Sequence, residues 1–324
     1  MNRSQVAQAI LQIQKARVLV VGDLILDEYV LGAASRLSPE APVPVVEVGE
    51  IRLFPGGAAN VAKNAARLGA QTLLIGVIGA DQDGERLQAS LQNQSNLTTQ
   101  LIVDPDRPTT KKTRVVASGH QVVRFDHEVR RGLSAKVAAQ VVAQVDDHLA
   151  AGPRALVLSD YQKGVLCPEV LRPTIDGARA RGLPCVVDPK LKDLSAYRGA
   201  TVVTPNLAEA CAAVGAELGT PTRQLLGPLL AALGGASVLV TEGEAGMTLQ
   251  VPGDDPVHLP ARLRPVFDRT GAGDTVVAVL SAALAAGIGL KEAAELANVA
   301  AGVAVSKPGV VAIDPEELLL EFEA

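Results

Sequence analysis

The chain has 324 residues, 48% hydrophobic and 20% charged, with a net charge of −5. That is enough apolar material for one large α/β domain with an appendage, and the mixed, slightly acidic charge excludes a dedicated nucleic-acid surface. Cys167, Cys185 and Cys211 and the scattered histidines have no metal-ligand spacing, and no apolar leader or membrane-length run occurs, so a reduced, cytoplasmic protein without a membrane partner is expected. In chain order, a helix is predicted over 5–15. The apolar run 17–23, ended at Gly22-Asp23, reads as a buried parallel strand. Residues 29–48 hold prolines and alternating β-branched residues, as strand pieces exposed on one face do. A Gly56-Gly57 turn opens a helix to residue 68; a strand follows over 72–77, then a Gly/Asp turn and another helix. Residues 111–128 read as a hairpin turning at Ser118-Gly119. From 134 onward, helices (134–150, 168–181, 207–214, 221–234) alternate with strands (155–159, 185–188, 201–204, 237–241). An edge hairpin over 246–259, a strand-like run ahead of Asp268, and helices over 273–286 and 290–305 complete the body. The alternation specifies a doubly wound, mostly parallel α/β sheet flanked by helices. One domain over 1–324 is expected, with a small β-sheet drawn from about 28–50 and 110–128.

Two familiar nucleotide signatures are absent: neither G-x-x-x-x-G-K-[ST] nor a G-x-G-x-x-G after the first strand is found. Glycines and carboxylates instead gather at predicted strand ends, where an open α/β sheet binds ligands. The most telling run is Asp268-Arg269-Thr270-Gly271-Ala272-Gly273-Asp274, a glycine turn opening an apolar helix. Such a turn is an anion site, and an acid inside it suits a base beside developing negative charge; alone, a capping Asp in a tight turn is an equal alternative. Asn206 and Glu209, three apart at a helix start, suit water-mediated magnesium or, more simply, a capping box. Asp188 with Lys190, and Asp160 with Lys163, place an acid and a lysine at the cleft edge, or make solvated pairs. Asp27 and Asn60 suit the hydroxyls of a polyol, or are turn and cap residues.

Assembled, these motifs resemble the ribokinase-like carbohydrate kinases over nearly the whole length. Gly56-Gly57-Ala58-Ala59-Asn60 is similar to the family's N-terminal signature, and 268–274 to its C-terminal one. The resemblance implies ATP as phosphoryl donor, Mg²⁺, and Asp274 as the base, with Gly271, Ala272 and Gly273 as the anion hole. It implies a metal-associated Asn206 and Glu209, nucleotide contacts at Thr241, Gly243, Gly246 and Asn298, and sugar contacts at Asp27, Gly56, Gly57 and Asn60. Asp188 and Lys190 belong to the nucleotide side and Asp160 and Lys163 to the substrate side. Asp268 and Thr270 fall where some members bind a monovalent cation such as K⁺. The small sheet matches the family's lid, which often also makes a homodimer contact. Within the family, Ser35-Arg36-Leu37-Ser38-Pro39-Glu40 and the Asp160-Tyr161-x-Lys163-Gly164 run are similar to bacterial D-glycero-D-manno-heptose-7-phosphate kinases. Those enzymes phosphorylate the anomeric oxygen on the route to lipopolysaccharide heptose. A phosphorylated sugar needs basic partners, for which Arg36, Arg114, Arg124 and Lys163 are the candidates. Glu28 departs from that branch, which usually carries Arg there, and Ser118-Gly119-His120 replaces a more polar hairpin tip. The chain stops short of the nucleotidyltransferase part that bifunctional members append, implying a stand-alone kinase or one part of a longer one.

Overall fold

The computed structural model describes residues 1–262, 267–307, 309 and 311–322. The strand-like run expected ahead of Asp268 falls on 263–266, outside the described residues. In chain order the strands are β1 (Arg17–Gly22), β2 (Leu24–Leu37), β3 (Pro44–Gly57), β4 (Gln71–Gly79), β5 (Leu97–Asp104), β6 (Lys111–Ala117) and β7 (His120–His127). They continue with β8 (Ala155–Ser159), β9 (Cys185–Asp188), β10 (Val202–Val203), β11 (Ser237–Thr241), β12 (Met247–Gln250) and β13 (Val257–Leu259). The helices are α1 (Arg3–Ile13), α2 (Ala58–Arg67), α3 (Gln82–Leu91), α4 (Ala135–Ala150) and α5 (Pro168–Ala180). After them come α6 (Leu207–Val214), α7 (Thr222–Leu233), α8 (Ala272–Ala285), α9 (Leu290–Val305) and α10 (Pro315–Leu320).

The main sheet has the order β13-β12-β11-β10-β9-β8-β1-β4-β5. It is parallel from β5 to β11 and antiparallel at the β12 and β13 edge. Because side chains alternate across a strand, β1 sends Val18 and Val20 into a core roofed by α1, α2, α8 and α9, and Leu19 and Val21 into one roofed by α4, α5 and α7. The chain leaves β1 toward β4 on one side and later returns to β8 on the other. This reversal opens a crevice at the carboxyl ends of the central strands.

The second sheet, order β3-β2-β6-β7, stands over that crevice. Its β2–β3 ribbon runs longer than 29–48, bent by register shifts at Leu31/Gly32 and Ala34/Arg36, and Pro39 and Pro42 lie in its tip rather than in its ladder. The register gives the sheet two distinct faces. Asp27, Tyr29, Lys112, Arg114, Arg124 and Asp126 alternate with Val30, Ile51, Val115, Val123 and Phe125. Arg114 bonds Asp27, and Lys112 lies over Tyr161, so the charged face looks into the crevice.

Candidate active site

α8 begins at Gly271, which adopts a left-handed φ of 81°, and no side chain caps the helix. Its first amides are therefore available to an anion. A Cβ on Gly273 would meet nothing within 4 Å, so this glycine faces open space. Asp274, in the first turn, is buried. Its Oδ2 accepts a 2.6 Å hydrogen bond from Asn60 Nδ2, and its Oδ1 accepts one of 2.6 Å from the Tyr161 hydroxyl. Burial pushes its carboxyl up to about 6, against the pull of those two donors and with a further push from Asp27.

Asn60 is aimed by its neighbours. Gly57 caps α2 at φ 60°, and the Ala58 amide bonds the Asp23 carbonyl at 3.0 Å. One turn on, Asn64 donates to Asn60 Oδ1 at 3.1 Å, so the Asn60 amide must turn its NH₂ toward Asp274. Asp23, at the end of β1, accepts the backbone amides of Tyr161, Lys163 and Val165 at 2.8, 3.0 and 3.0 Å. That buried carboxylate shapes the loop after β8, in which Gln162 and Gly164 both take positive φ. The result is that Tyr161 points at Asp274.

Other expected residues have different placements. Gly56 sits so close to Asp27 that a Cβ would lie 2.1 Å from Asp27 Oδ2, and Asp27 Oδ1 takes Arg114 at 2.5 Å. Asp160 turns to the Tyr197 hydroxyl (2.6 Å) and does not line the cavity beside Asp274; burial raises its carboxyl to about 6 as well. The Lys163 ammonium lies 2.6 Å from Glu128 at the lid base. Arg124 stands beside Arg114 on the cleft face of the lid, 3.1 Å from Asp126. Arg36 is exposed near the ribbon tip against Glu47. At about 3.3 Å per residue it lies some ~30 Å along β2 from Asp27, so the fold does not bring it to this site.

Asn206 and Glu209 form the capping box, each side chain accepting the other's backbone amide at 2.9 Å. The second Glu209 oxygen pairs with Lys190. These residues, with buried Asp188 and with Asp274 and Gly273, line a cavity of about 230 Å³. Through Thr241, Gly273 and Val276 it adjoins a larger, mainly apolar cavity of about 440 Å³ bordered by Gly243, Gly246, Ala272 and Asn298. Asn298 holds the Pro260 carbonyl at 2.8 Å. Among the described residues no group of three His, Cys, Asp or Glu is placed to cage a metal. Two carboxylates, Asp188 and Glu209, beside an anion site suit Mg²⁺ that keeps its waters and leans on phosphate oxygens. Asp268 Oδ1 accepts the Thr270 amide at 2.8 Å, and Thr270 reaches Tyr29 of the lid.

Tyr161, Asn64, Asp23, Lys112 and Tyr197 were not singled out from the sequence. A signal existed for the tyrosines. The chain has only three, and Tyr29, Tyr161 and Tyr197 all bond groups around this crevice. For Asn64, a second asparagine one turn after Asn60 in an alanine-rich helix was the cue.

Residues 15–317 match the pfkB family carbohydrate kinases. The chain is 45% identical over 304 residues to the bifunctional protein HldE of Caulobacter vibrioides, covering 93% of this chain and 62% of that one. It is 43% identical over 321 residues to HldE of Trichlorobacter lovleyi, covering 98% and 65%. The chain thus spans a little under two thirds of the curated relatives it matches. In fold it is similar to Arabidopsis thaliana ribokinase complexed with ribose and ATP (TM-score 0.73, 19% identity, 95% of this chain and 99% of that one). It is also similar to Escherichia coli phosphofructokinase-2 in complex with substrates and products (TM-score 0.76, 21% identity, 95% and 98%).

Proposed function

As a member of the pfkB family of carbohydrate kinases the chain is an ATP-using phosphotransferase with an alcohol acceptor, and we propose that its acceptor is the C1 hydroxyl of D-glycero-D-manno-heptose 7-phosphate. The observation that carries the reading is Asp274: a buried carboxyl, held by Asn60 and Tyr161, beside an uncapped glycine turn where two cavities meet. In that position it takes the proton from the acceptor hydroxyl, while the amides of Gly271 to Asp274 stabilise charge on the transferred group. Asn298, Gly243, Gly246 and Thr241 border the nucleotide space, and Asp27 and Asn60 hold sugar hydroxyls. Asp188 and Glu209, with Asn206 beside them, would hold Mg²⁺ through water; the ion supplies charge neutralisation at the phosphates when bound.

The heptose phosphate rests on the motif resemblance of 35–46 and 159–164, on similarity to the HldE proteins and on the basic lid face. Glu28 does not weaken it. Its carboxylate accepts the Thr113 hydroxyl at 2.8 Å, and the pleat puts it on the face opposite Asp27. A cytoplasmic location accords with ATP use and with cysteines that are free and buried. A panel of sugars and sugar phosphates, read by ADP release, tests the acceptor: turnover confined to unphosphorylated sugars sinks the heptose phosphate. Exchanging K⁺ for choline in the same assay tests a monovalent-cation role for Asp268 and Thr270.

A further inference from the structure

The cations around the crevice are matched one by one with carboxylates. Arg114 has Asp27, Lys163 has Glu128, Arg124 has Asp126 and Lys190 has Glu209. Lys112 is different. It lies on the cleft face of β6, across from Asp27 and Asp126 in the ladder, yet it makes no hydrogen bond or ion pair among the described residues. Its ammonium lies over the Tyr161 ring, whose centroid is 5.5 Å from Nζ. The ring's hydroxyl is the one that bonds Asp274, so the ammonium is one side chain away from the reacting group.

An ammonium half withdrawn from water and left without an anion is costly unless a ligand supplies one. Burial accordingly pushes Lys112 below its ordinary range; Asp27 and Asp126 pull it up, and Lys163 and Arg124 push it down. The two carboxylates nearest in the ladder are taken by Arg114 and Arg124. We propose that Lys112 is the residue that receives the phosphate already carried by the sugar, so that the lid selects phosphorylated acceptors through this lysine rather than through the paired Lys163 or the remote Arg36. The proposal deepens the sugar-phosphate reading above and rests on it.

Lys112→Met keeps an unbranched stem over Tyr161 and removes the charge; Lys112→Arg restores charge at similar reach. With heptose 7-phosphate, Lys112→Met is expected to raise the KM for the sugar about 10- to 100-fold, as loss of one charge-assisted contact does. The kcat and the KM for ATP stay within about threefold, the loss is at least tenfold smaller with the unphosphorylated heptose, and Lys112→Arg recovers most of it. An unchanged sugar KM, or a fall in kcat at constant KM, overturns the proposal. If the unmodified protein turns over only unphosphorylated sugars, the sugar-phosphate reading itself has failed. Inorganic phosphate then serves as the probe: competition with the sugar that weakens at least tenfold in Lys112→Met supports an anion site at Lys112, and equal competition in both proteins removes it.

Discussion

At the scale of single residues, Asp274 combines two demands that conflict. The proposed base must be ionised near neutral pH, but Asp274 is buried, and burial favours its neutral form. Folded, the carboxyl titrates at about 6 against an ordinary 3.8, so the folded state holds the extra proton between those values. The ionised carboxylate therefore costs stability that grows as pH rises toward 6 and is absent below about 4, on the order of 3 kcal/mol. Asp274→Asn fits the same hydrogen bonds, its oxygen accepting from Asn60 and its NH₂ donating to a rotated Tyr161 hydroxyl. The variant is expected to lose about 10³-fold or more in kcat, to bind both substrates, and to melt roughly 2–4 °C higher at pH 7.5 but not at pH 4.5. Near-normal turnover would remove Asp274 as the base. The same geometry predicts an acid limb of kcat/KM near pH 6. Tyr161→Phe deletes a donor to the ionised form, so the limb moves upward by about one pH unit. Asp160 titrates in the same range but bonds Tyr197 outside the cavity, so Asp160→Asn leaves the limb in place. A limb that follows Asp160 instead would reassign it.

At the scale of elements, the start of α8 joins the two cavities, and Gly273 lies at their junction. Its lack of a side chain is not forced by the fold, because a Cβ there meets no protein atom. Gly273→Ala gains helix propensity of about 1 kcal/mol and is expected to melt no lower than the natural chain. Its methyl occupies the space an anion would fill, so the KM for ATP rises about tenfold; unchanged ATP kinetics would show that this amide turn does not face the nucleotide. Elements like α8 were legible because an unbroken apolar run after a glycine turn has one reading. β5 was not: Leu97–Asp104 is an edge strand with a half-exposed, polar pattern and no continuous apolar run. Asn206 and Glu209 were legible as a pair with two readings, and the capping box is what the backbone shows. The supporting roles of Asp23 and Tyr197 stayed hidden because these residues act on distant positions through contacts of long sequence separation. Asp23 reaches residues 138 to 142 positions away, which no local pattern encodes.

At the scale of the whole molecule, the lid is a sheet with one face too many. Its charged face is used in the crevice, while Ile51, Val123 and Phe125 on the other are each about half exposed, at 56%, 48% and 55%. Val48, paired with Gly32, extends that apolar face along the ribbon, and Leu37 and Val43 are exposed near its tip. A contiguous apolar face on an open sheet is a docking surface or an aggregation hazard. If this sheet acts as the expected lid, a second copy packed on it would couple the two crevices through their covers. We propose that a homodimer forms through this face, which predicts sedimentation at twice 33.4 kDa. The double variant Val123→Glu, Phe125→Glu puts two like charges, two residues apart on β7, into that face without touching Lys112, Arg114 or Asp27. It is expected to sediment at the mass of one chain at micromolar concentration and to keep its far-UV spectrum. The KM for the sugar should rise several-fold, because an unsupported lid is more often open, while the acid limb of kcat/KM stays near pH 6, where Asp274 sets it. A variant that remains dimeric places the subunit contact elsewhere. One that becomes monomeric with unchanged sugar KM separates the dimer contact from lid closure.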